Sequence, residues 1–392
     1  MRGPFSFAGA ACCVAEFALL ASWQGVCWPV AIMSFCMQDE LQHPYKALAP
    51  RAYWRPAVAE VGAFGLTELW TPKFRILPKD RIVTAGSCFA QHIGRALVAR
   101  GYDWVNAEPA PPFLSAEDAR RFNYGIFSFR TGNIYTPRML RQWLELAFET
   151  RELPDEIWQQ EGRFFDPLRP VIEPDGFASE AELRAARSTT LDALRRAITG
   201  ADVFVFTLGL TESWAHAETG LEYALCPGTV PGCAFDPEKH VFRNSGFRPL
   251  LRDMQAAIKL MRAKNPSLKI LLTVSPVPLT ATASAKHVLV ATTYSKSVLR
   301  ALAGQLEAET KGVDYFPSYE IITHPVFRGM FYAPNMRSVA PQGVACVMEH
   351  FFADQARVFG PVKARHKRKG AEVGADSEDV ACEEELLGAF AT

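Results

Sequence analysis

A serine follows a glycine where a short apolar segment gives way to an amphipathic one. Ile82-Val-Thr84 has the β-branched composition of a strand, and Ala85-Gly-Ser87 follows it directly. Apolar residues then recur at helical spacing until Gly101. The serine would therefore lie at the first turn of a helix, where unpaired amides and the helix dipole favour developing negative charge. This position suits an acyl-accepting nucleophile, and it equally suits a helix N-cap.

This serine belongs to the first of several predicted strand–helix pairs. Further strands are expected at 102–105, 202–207, 269–274 and 313–316. Helices are expected at 137–149, 180–199, from 244 or 245 to 261, at 294–310 and at 341–353. Buried strands that alternate with helices are typical of a parallel sheet covered on both faces. Ligands of such sheets bind at the carboxyl ends of the strands, which is where Ser87 is expected.

Small polar residues follow the other predicted strands too. Because these strand ends meet at one edge of the sheet, they predict a crevice suited to an oxyanion and a hydroxyl-bearing substrate. The residues concerned are Gly209-Leu-Thr-Glu212, Ser275-Pro-Val-Pro278, Asp314 and Ser318-Tyr-Glu320.

A series of short motifs carries a resemblance to a known family. They are Ala85-Gly-Ser-Cys-Phe-Ala90, Asn123-Tyr-Gly-Ile-Phe127, Thr207-Leu-Gly-Leu-Thr-Glu-Ser-Trp214, Thr273-Val-Ser-Pro-Val-Pro-Leu279, Tyr294-Ser-Lys296, Asp314-Tyr-Phe-Pro-Ser-Tyr-Glu320 and Phe331-Tyr332. In this order they resemble the GSCFA family, a bacterial branch of the SGNH (GDSL-like) hydrolase superfamily. The resemblance implies a flavodoxin-like α/β/α sandwich with a central parallel sheet. One domain is expected over 45–358, with an insertion near 150–180.

The resemblance also implies roles for individual residues. Ser87 would be the catalytic nucleophile, and its own amide would help to bind the oxyanion. Gly125 matches a glycine that supplies a second oxyanion donor, and Thr211 stands where SGNH enzymes carry an asparagine. Further along, Glu212 is expected either to contact substrate or a histidine, or to cap a helix. Tyr294 and Lys296 are expected either to line the substrate channel or to lie at the edge of the core.

The general base is the main departure from the SGNH pattern. SGNH enzymes carry Asp-x-x-His before the last helix, whereas Asn335-Met-Arg-Ser338 occupies that place here. Neither Asn nor Ser can take the proton of a serine near neutral pH. His240, in a predicted loop, is the first candidate for the catalytic base, and His287 is the second. His324 is a third, and each of these histidines can instead be structural.

The predicted function is a serine-dependent acyl-ester hydrolase or O-acyltransferase. Its substrate would be an ester on a small molecule, a saccharide or an envelope component. The missing base motif supports an alternative, a catalytically silent SGNH fold that binds a carbohydrate or a protein. No metal or organic cofactor is implied, because no clustered ligand spacing or phosphate loop is present. The 42 basic and 42 acidic residues balance, which disfavours a nucleic-acid partner.

The two ends of the chain differ from its body. Residues 17–37 are uncharged and mostly apolar, and they are numerous enough to cross a bilayer. Residues 1–44 are therefore expected to be either an inner-membrane anchor or an over-extended gene start, and membrane contact is expected only in the first case. Cysteines without a Cys-x-x-Cys pair otherwise favour the cytoplasm. Residues 359–392 turn from basic to acidic, which predicts a disordered tail.

Overall fold

The computed structural model describes residues 43–362, 380 and 382–391. The chain divides into two units, 1–49 and 50–392, and the first contributes a 3-10 turn at Pro44–Ala47. Nearly all of the predicted N-terminal extension, including the predicted anchor at 17–37, lies outside the described residues. Within the described ranges, no helix is both long enough and apolar enough to span a membrane.

The second unit alternates strands with helices. Its strands are β1 (Arg81–Gly86), β2 (Asp103–Trp104), β3 (Trp158–Gln160), β4 (Arg163–Phe165), β5 (Val203–Leu208), β6 (Glu212–His216), β7 (Glu222–Tyr223), β8 (His240–Asn244), β9 (Lys269–Val274) and β10 (Val313–Tyr315). Its α-helices are α1 (Phe89–Ala99), α2 (Ala116–Arg121), α3 (Pro137–Ala147), α4 (Glu180–Gly200), α5 (Phe247–Lys264), α6 (Val288–Glu309), α7 (Ser318–Thr323) and α8 (Pro341–Phe359). Shorter helical turns lie at Pro50–Ala52, Arg55–Ala59, Ala63–Gly65, Pro325–Phe327 and Glu383–Phe390.

A five-stranded parallel sheet forms the centre of this unit. Its spatial order is β2-β1-β5-β9-β10, which is the flavodoxin-like order 2-1-3-4-5 when the five strands are numbered along the chain. The strands β1 and β5 are neighbours, although β2 separates them in the chain. The connections from these two strands leave towards opposite edges of the sheet, so a crevice opens between their carboxyl ends. Ser87 follows β1 at that crevice.

Helices cover both faces of the sheet, which confirms the predicted three-layer α/β/α sandwich. Along β5, Phe204 and Phe206 pack into one hydrophobic cluster, whereas Val203 and Val205 pack into the other. The first cluster contains side chains of α3, α4, α5 and α6, and the second contains side chains of α1, α7 and α8. A strand buried on both faces needs a continuous apolar run, and that is why the sequence pattern identified β5.

Two small antiparallel sheets lie outside the predicted pattern. One joins β3 to β4, and the other has the order β7-β6-β8. His240 therefore lies in a strand and not in a loop, and Asn244 ends that strand instead of starting α5. Only two of the five residues of β8, Val241 and Phe242, have high strand propensity. The strand is held by pairing with β6, a non-local contact that local propensity cannot reveal.

Residues 382–391, hereafter the C-terminal segment, pack against the domain. The sequence predicts a disordered tail from residue 359, but Glu383 and Glu384 in this segment are buried. Charged side chains are rarely buried unless partners compensate them. The acidic composition alone therefore favoured a solvated chain, because the compensating groups lie far away in sequence.

Candidate functional site

Two glycines bring the backbone close around Ser87. Gly86 has φ +131°, and a Cβ built on it would lie 2.3 Å from the carbonyl oxygen of Thr207. A Cβ on Gly209 would lie 3.0 Å from the Cβ of Ser87 and 3.0 Å from the carbonyl oxygen of Tyr135. Only glycine fits at position 86, where the φ is positive and the contact is with backbone, and a side chain at position 209 would be tightly packed. The ends of β1 and β5 are thereby pressed together, and Ser87 is held against Gly209.

The Ser87 hydroxyl is buried at the end of β1. The residue is 3% exposed, and its Oγ has no hydrogen-bond partner among the described residues. Leaving a buried polar group unsatisfied costs about 1–3 kcal/mol, so such groups are uncommon and are found at functional sites. An unpaired hydroxyl at the first turn of a helix is available for chemistry.

The amide of Ser87 is engaged, contrary to the sequence expectation that it binds an oxyanion. It donates to the carbonyl oxygen of Thr207 at 3.0 Å, which extends the pairing of β1 with β5. The first backbone bond of the following turn runs from the amide of Ala90 to the carbonyl of Ser87. The amides of Cys88 and Phe89 precede the bonds inside α1 and lie at its positive end. These two amides are better placed than that of Ser87 to receive negative charge.

Lys296 contacts Gly209 as well. This lysine of α6 is 1% exposed, and its Nζ donates to the carbonyl oxygen of Gly209 at 2.7 Å. Burial lowers the pKa of Lys296 to about 8, although nearby acidic groups, chiefly Glu384, oppose that shift. An amine with this pKa is partly neutral at physiological pH and can accept a proton. Ser87 and Lys296 thus both contact Gly209.

His240, the first candidate for the base, is bound elsewhere. Its Nδ1 accepts the amide of Asp236 at 3.0 Å, so the neutral ring carries its proton on Nε2. The four-residue step along β8 from His240 to Asn244 covers about 13 Å. It is the Asn244 end that contacts Thr211, through a 2.8 Å side-chain bond. None of these contacts joins His240 to Ser87, and its role as base stays a prediction.

The other two histidines cap helical turns. His287 is exposed and accepts the amide of Leu289 at 3.2 Å as the N-cap of α6. His324 accepts the amide of Val326 at 3.3 Å as the N-cap of the turn that follows. An exposed cap at the start of a helix is a structural role. The structure shows no bond between either ring and Ser87.

The two other predicted oxyanion donors are not arranged for that role. Gly125 is exposed, and its neighbour Asn123 donates to carbonyl oxygens of the predicted insertion, at residues 171 and 172. The amide of Thr211 donates to the Ser295 hydroxyl at 3.1 Å, and its own hydroxyl donates to Asn244. Both donors of Thr211 are thus committed to structural bonds.

The predicted substrate residues separate into a buried and an exposed group. Glu212 accepts the Thr282 hydroxyl at 2.7 Å, and burial raises the pKa of its carboxyl. It lines a largely apolar cavity of about 200 Å³, together with Leu210, Trp214, Tyr223, Leu279, Glu384 and Leu387. Tyr294 is 41% exposed and is not among the residues that line this cavity. Of the three predicted substrate residues, Glu212 lines the cavity and Lys296 binds the carbonyl oxygen of Gly209, which packs against Ser87.

The C-terminal segment lies over this site, a feature that the sequence analysis missed. The hydroxyl of Tyr135 accepts the amide of Glu384 at 3.3 Å, and the carbonyl of Tyr135 accepts the amide of Gly209 at 2.9 Å. The pKa of the Cys88 thiol is raised well above its usual value, first by its interaction with the Cys382 thiol and then by burial, so the two thiols are neighbours. Residues on both sides of Ser87 are therefore in contact with the segment.

Glu383 is buried in the same segment. Its Oε2 accepts the amide of Asn133 at 3.3 Å, and its Oε1 lies 2.5 Å from the place of a Cβ on Gly132. Burial raises the pKa of this carboxyl to about 8, which the bond from Asn133 only partly offsets. Gly132 and Asn133 thus form a backbone cradle for an oxygen acceptor. No local sequence pattern indicates this contact, because Glu383 is about 250 residues from Asn133 along the chain.

The site was searched for side chains that could bind a metal ion. Across the described residues, no group of three or more His, Cys, Asp or Glu side chains could hold a metal ion.

The model of the GSCFA family matches residues 81–351, from the first residue of β1 into α8. That range includes Ser87, Gly209 and Lys296. No curated protein matches the chain.

Proposed function

Because this chain belongs to the GSCFA family, we propose that it is a serine-dependent acyl-transfer enzyme whose nucleophile is Ser87. The observation that carries the proposal is the buried Ser87 hydroxyl, which is unpaired among the described residues and packs against Gly209. The carbonyl of that glycine holds the amine of Lys296. Serine with lysine as its base is a known variant of the nucleophile–base pair.

Lys296 would be the general base in this proposal. Its neutral amine accepts the Ser87 proton while Oγ forms a bond to the ester carbonyl carbon. As the ester C–O bond breaks, the lysine ammonium returns the proton to the leaving alkoxide. Water or an acceptor hydroxyl then attacks the acyl-serine by the reverse sequence, which regenerates Ser87. Negative charge on the carbonyl oxygen would be stabilised by the positive end of α1.

An ester is the substrate class that the site supports. The cavity beside Glu212 is largely apolar and could receive a short acyl group, while Glu212 and Thr282 provide polar atoms at its wall. The resemblance of the family to SGNH hydrolases also supports an ester, such as an acylated saccharide. Hydrolysis and transfer differ only in which hydroxyl takes the acyl group from Ser87.

A binding module without catalysis is the second candidate function. Two observations favour it: His240, His287 and His324 all bind backbone amides through Nδ1, and the C-terminal segment contacts Cys88. A module of this kind would use the same crevice to bind a carbohydrate or protein. It would form no covalent bond to Ser87.

Release of 4-nitrophenol from 4-nitrophenyl acetate distinguishes these two functions. The enzyme hypothesis predicts turnover that Ser87→Ala abolishes. The exposed Ser267, on the loop before β9, offers a matched control, and Ser267→Ala should retain turnover. Equal turnover by the wild-type protein and Ser87→Ala would contradict the proposal.

A further inference from the structure

The C-terminal segment places a carboxylate inside the site. Glu384 is 6% exposed, and its Oε1 accepts the amide of Thr280 at 2.7 Å. Its Oε2 lies 3.2 Å from Nη2 of Arg337. A buried carboxylate is costly unless charged and hydrogen-bonding groups compensate it, and here a backbone amide and a guanidinium do so. The domain therefore contains a receptor for one carboxylate.

Arg337 is held in place by its own loop, which the C-terminal segment does not form. The side-chain oxygen of Asn335 accepts the amides of Arg337 and Ser338, at 3.0 and 2.9 Å. This turn directs the mostly buried guanidinium towards Glu384. Its Nε is buried and has no hydrogen-bond partner among the described residues. The guanidinium thus retains an unused donor for a ligand that presents its oxygens differently from Glu384.

Lys296 interacts electrostatically with the same carboxylate. The charges of Lys296 and Glu384 favour each other, and both residues are almost fully buried. Without Glu384, Arg337 would keep two of its described partners, the exposed Glu385 at 2.9 Å and the Cys382 sulfur at 3.6 Å. A mostly buried guanidinium with so little compensation favours the entry of another anion.

The carboxylate position is continuous with the apolar cavity. Glu384 and Leu387 form part of the wall of that cavity, and so does Leu279, next to Thr280. A molecule that enters when the segment leaves would meet the apolar wall and the cationic position together. The same segment contacts Cys88, next to Ser87. The C-terminal segment thus connects the cavity wall, through Glu384, with Arg337 and with the residue that follows Ser87.

We propose that Arg337 and the Thr280 amide form a carboxylate-binding subsite for substrate, which Glu384 occupies when substrate is absent. This inference rests on the proposed acyl transfer at Ser87, and it narrows the substrate class to esters that carry a carboxylate. The segment and the substrate compete for the same subsite. Glu384 must leave before substrate can bind.

Binding of propionate tests the subsite without reference to catalysis. In full-length Glu384→Ala, calorimetry should give a propionate Kd about tenfold or more below that of the wild-type protein, because charge-assisted hydrogen bonds replace those lost. Glu385→Ala is the matched control: it removes an adjacent negative charge from Arg337, leaves Glu384 in place, and should show no gain. Neutral propionamide should bind neither variant. If Glu384→Ala does not fold, the isosteric Glu384→Gln serves in its place.

Removing the guanidinium identifies the receptor. Adding Arg337→Gln to Glu384→Ala should lower propionate affinity to the wild-type level. Adding Arg337→Lys instead should retain part of the affinity gained in Glu384→Ala, because the lysine keeps the positive charge. Thermal unfolding confirms that each variant is folded. Propionate affinity that is the same in Glu384→Ala and Glu385→Ala, or that Arg337→Gln leaves unchanged, would overturn the subsite.

Two esters of equal chain length test whether the subsite serves substrate. In Glu384→Ala, kcat/KM for mono-4-nitrophenyl succinate should exceed that for 4-nitrophenyl butyrate about tenfold or more, and Arg337→Gln should remove the preference. Equal turnover of both esters would overturn the substrate role but leave acyl transfer standing. Propionate binding with no turnover of either ester would support the subsite and contradict the proposed reaction.

Discussion

Ser87 and Lys296 both contact Gly209, the serine near its Cα and the lysine at its carbonyl oxygen. The Cβ of Ser87 lies 3.0 Å from the position of a Cβ on that glycine, and the amine of Lys296 binds its carbonyl oxygen at 2.7 Å. The serine comes from the end of β1 and the lysine from α6, so sheet order is what brings them to one residue. Their shared contact with Gly209 is the structural reason to test Lys296 as the base for Ser87.

Replacing Lys296 should slow acyl transfer. Lys296→Met retains an apolar stem without the amine, and the rate at which Ser87 forms an acyl-enzyme should fall roughly 10²-fold or more, the usual contribution of a positioned base. Single-turnover kinetics with a 4-nitrophenyl ester measures this rate. A loss in His240→Ala or His287→Ala, with Lys296→Met unaffected, would transfer the role of base to that histidine.

The rate should rise with pH through the pKa of Lys296. Burial lowers that pKa to about 8, and only the unprotonated amine can accept the Ser87 proton. The acylation rate should therefore increase about tenfold per pH unit below pH 8 and level off above it. A stopped-flow profile from pH 6 to 10 gives the inflection. A profile with its inflection near pH 6.5 would instead indicate a histidine.

Docking of the C-terminal segment should weaken as the pH rises. Burial raises the pKa of Glu383 from 4.5 to about 8, so docking favours the protonated carboxyl. This contribution is complete below about pH 4.5 and is lost as the pH rises towards 8. Glu383→Gln cannot ionise, so the Tm of this variant should increasingly exceed that of the wild-type protein between pH 5 and 8. A Tm difference that does not change with pH would contradict the buried, protonated state.

The sequence predicted the central sheet and the place of Ser87 but not the surroundings of that serine. Apolar runs such as β5 are local signals, and Ser87 directly follows such a run. Tyr135, Glu384 and Arg337 come together only through folding, and no spacing along the chain relates them. The acidic composition of the C-terminal segment predicted a solvated tail, because composition does not reveal that Arg337 pairs with Glu384. His240 was predicted to lie in a loop, whereas it begins β8. That strand forms by pairing with β6, which is not visible in the local sequence.

Labelling with a fluorophosphonate probe tests the central claim, that Ser87 is an activated nucleophile. Intact mass spectrometry at pH 8.5 should show one adduct on the wild-type protein and none on Ser87→Ala. Glu384→Ala should react faster, because the C-terminal segment no longer holds its carboxylate at Arg337. A single adduct that peptide mapping places on Ser87 is the predicted result. An adduct that persists in Ser87→Ala, or no adduct in either the wild-type protein or Glu384→Ala, would contradict the account.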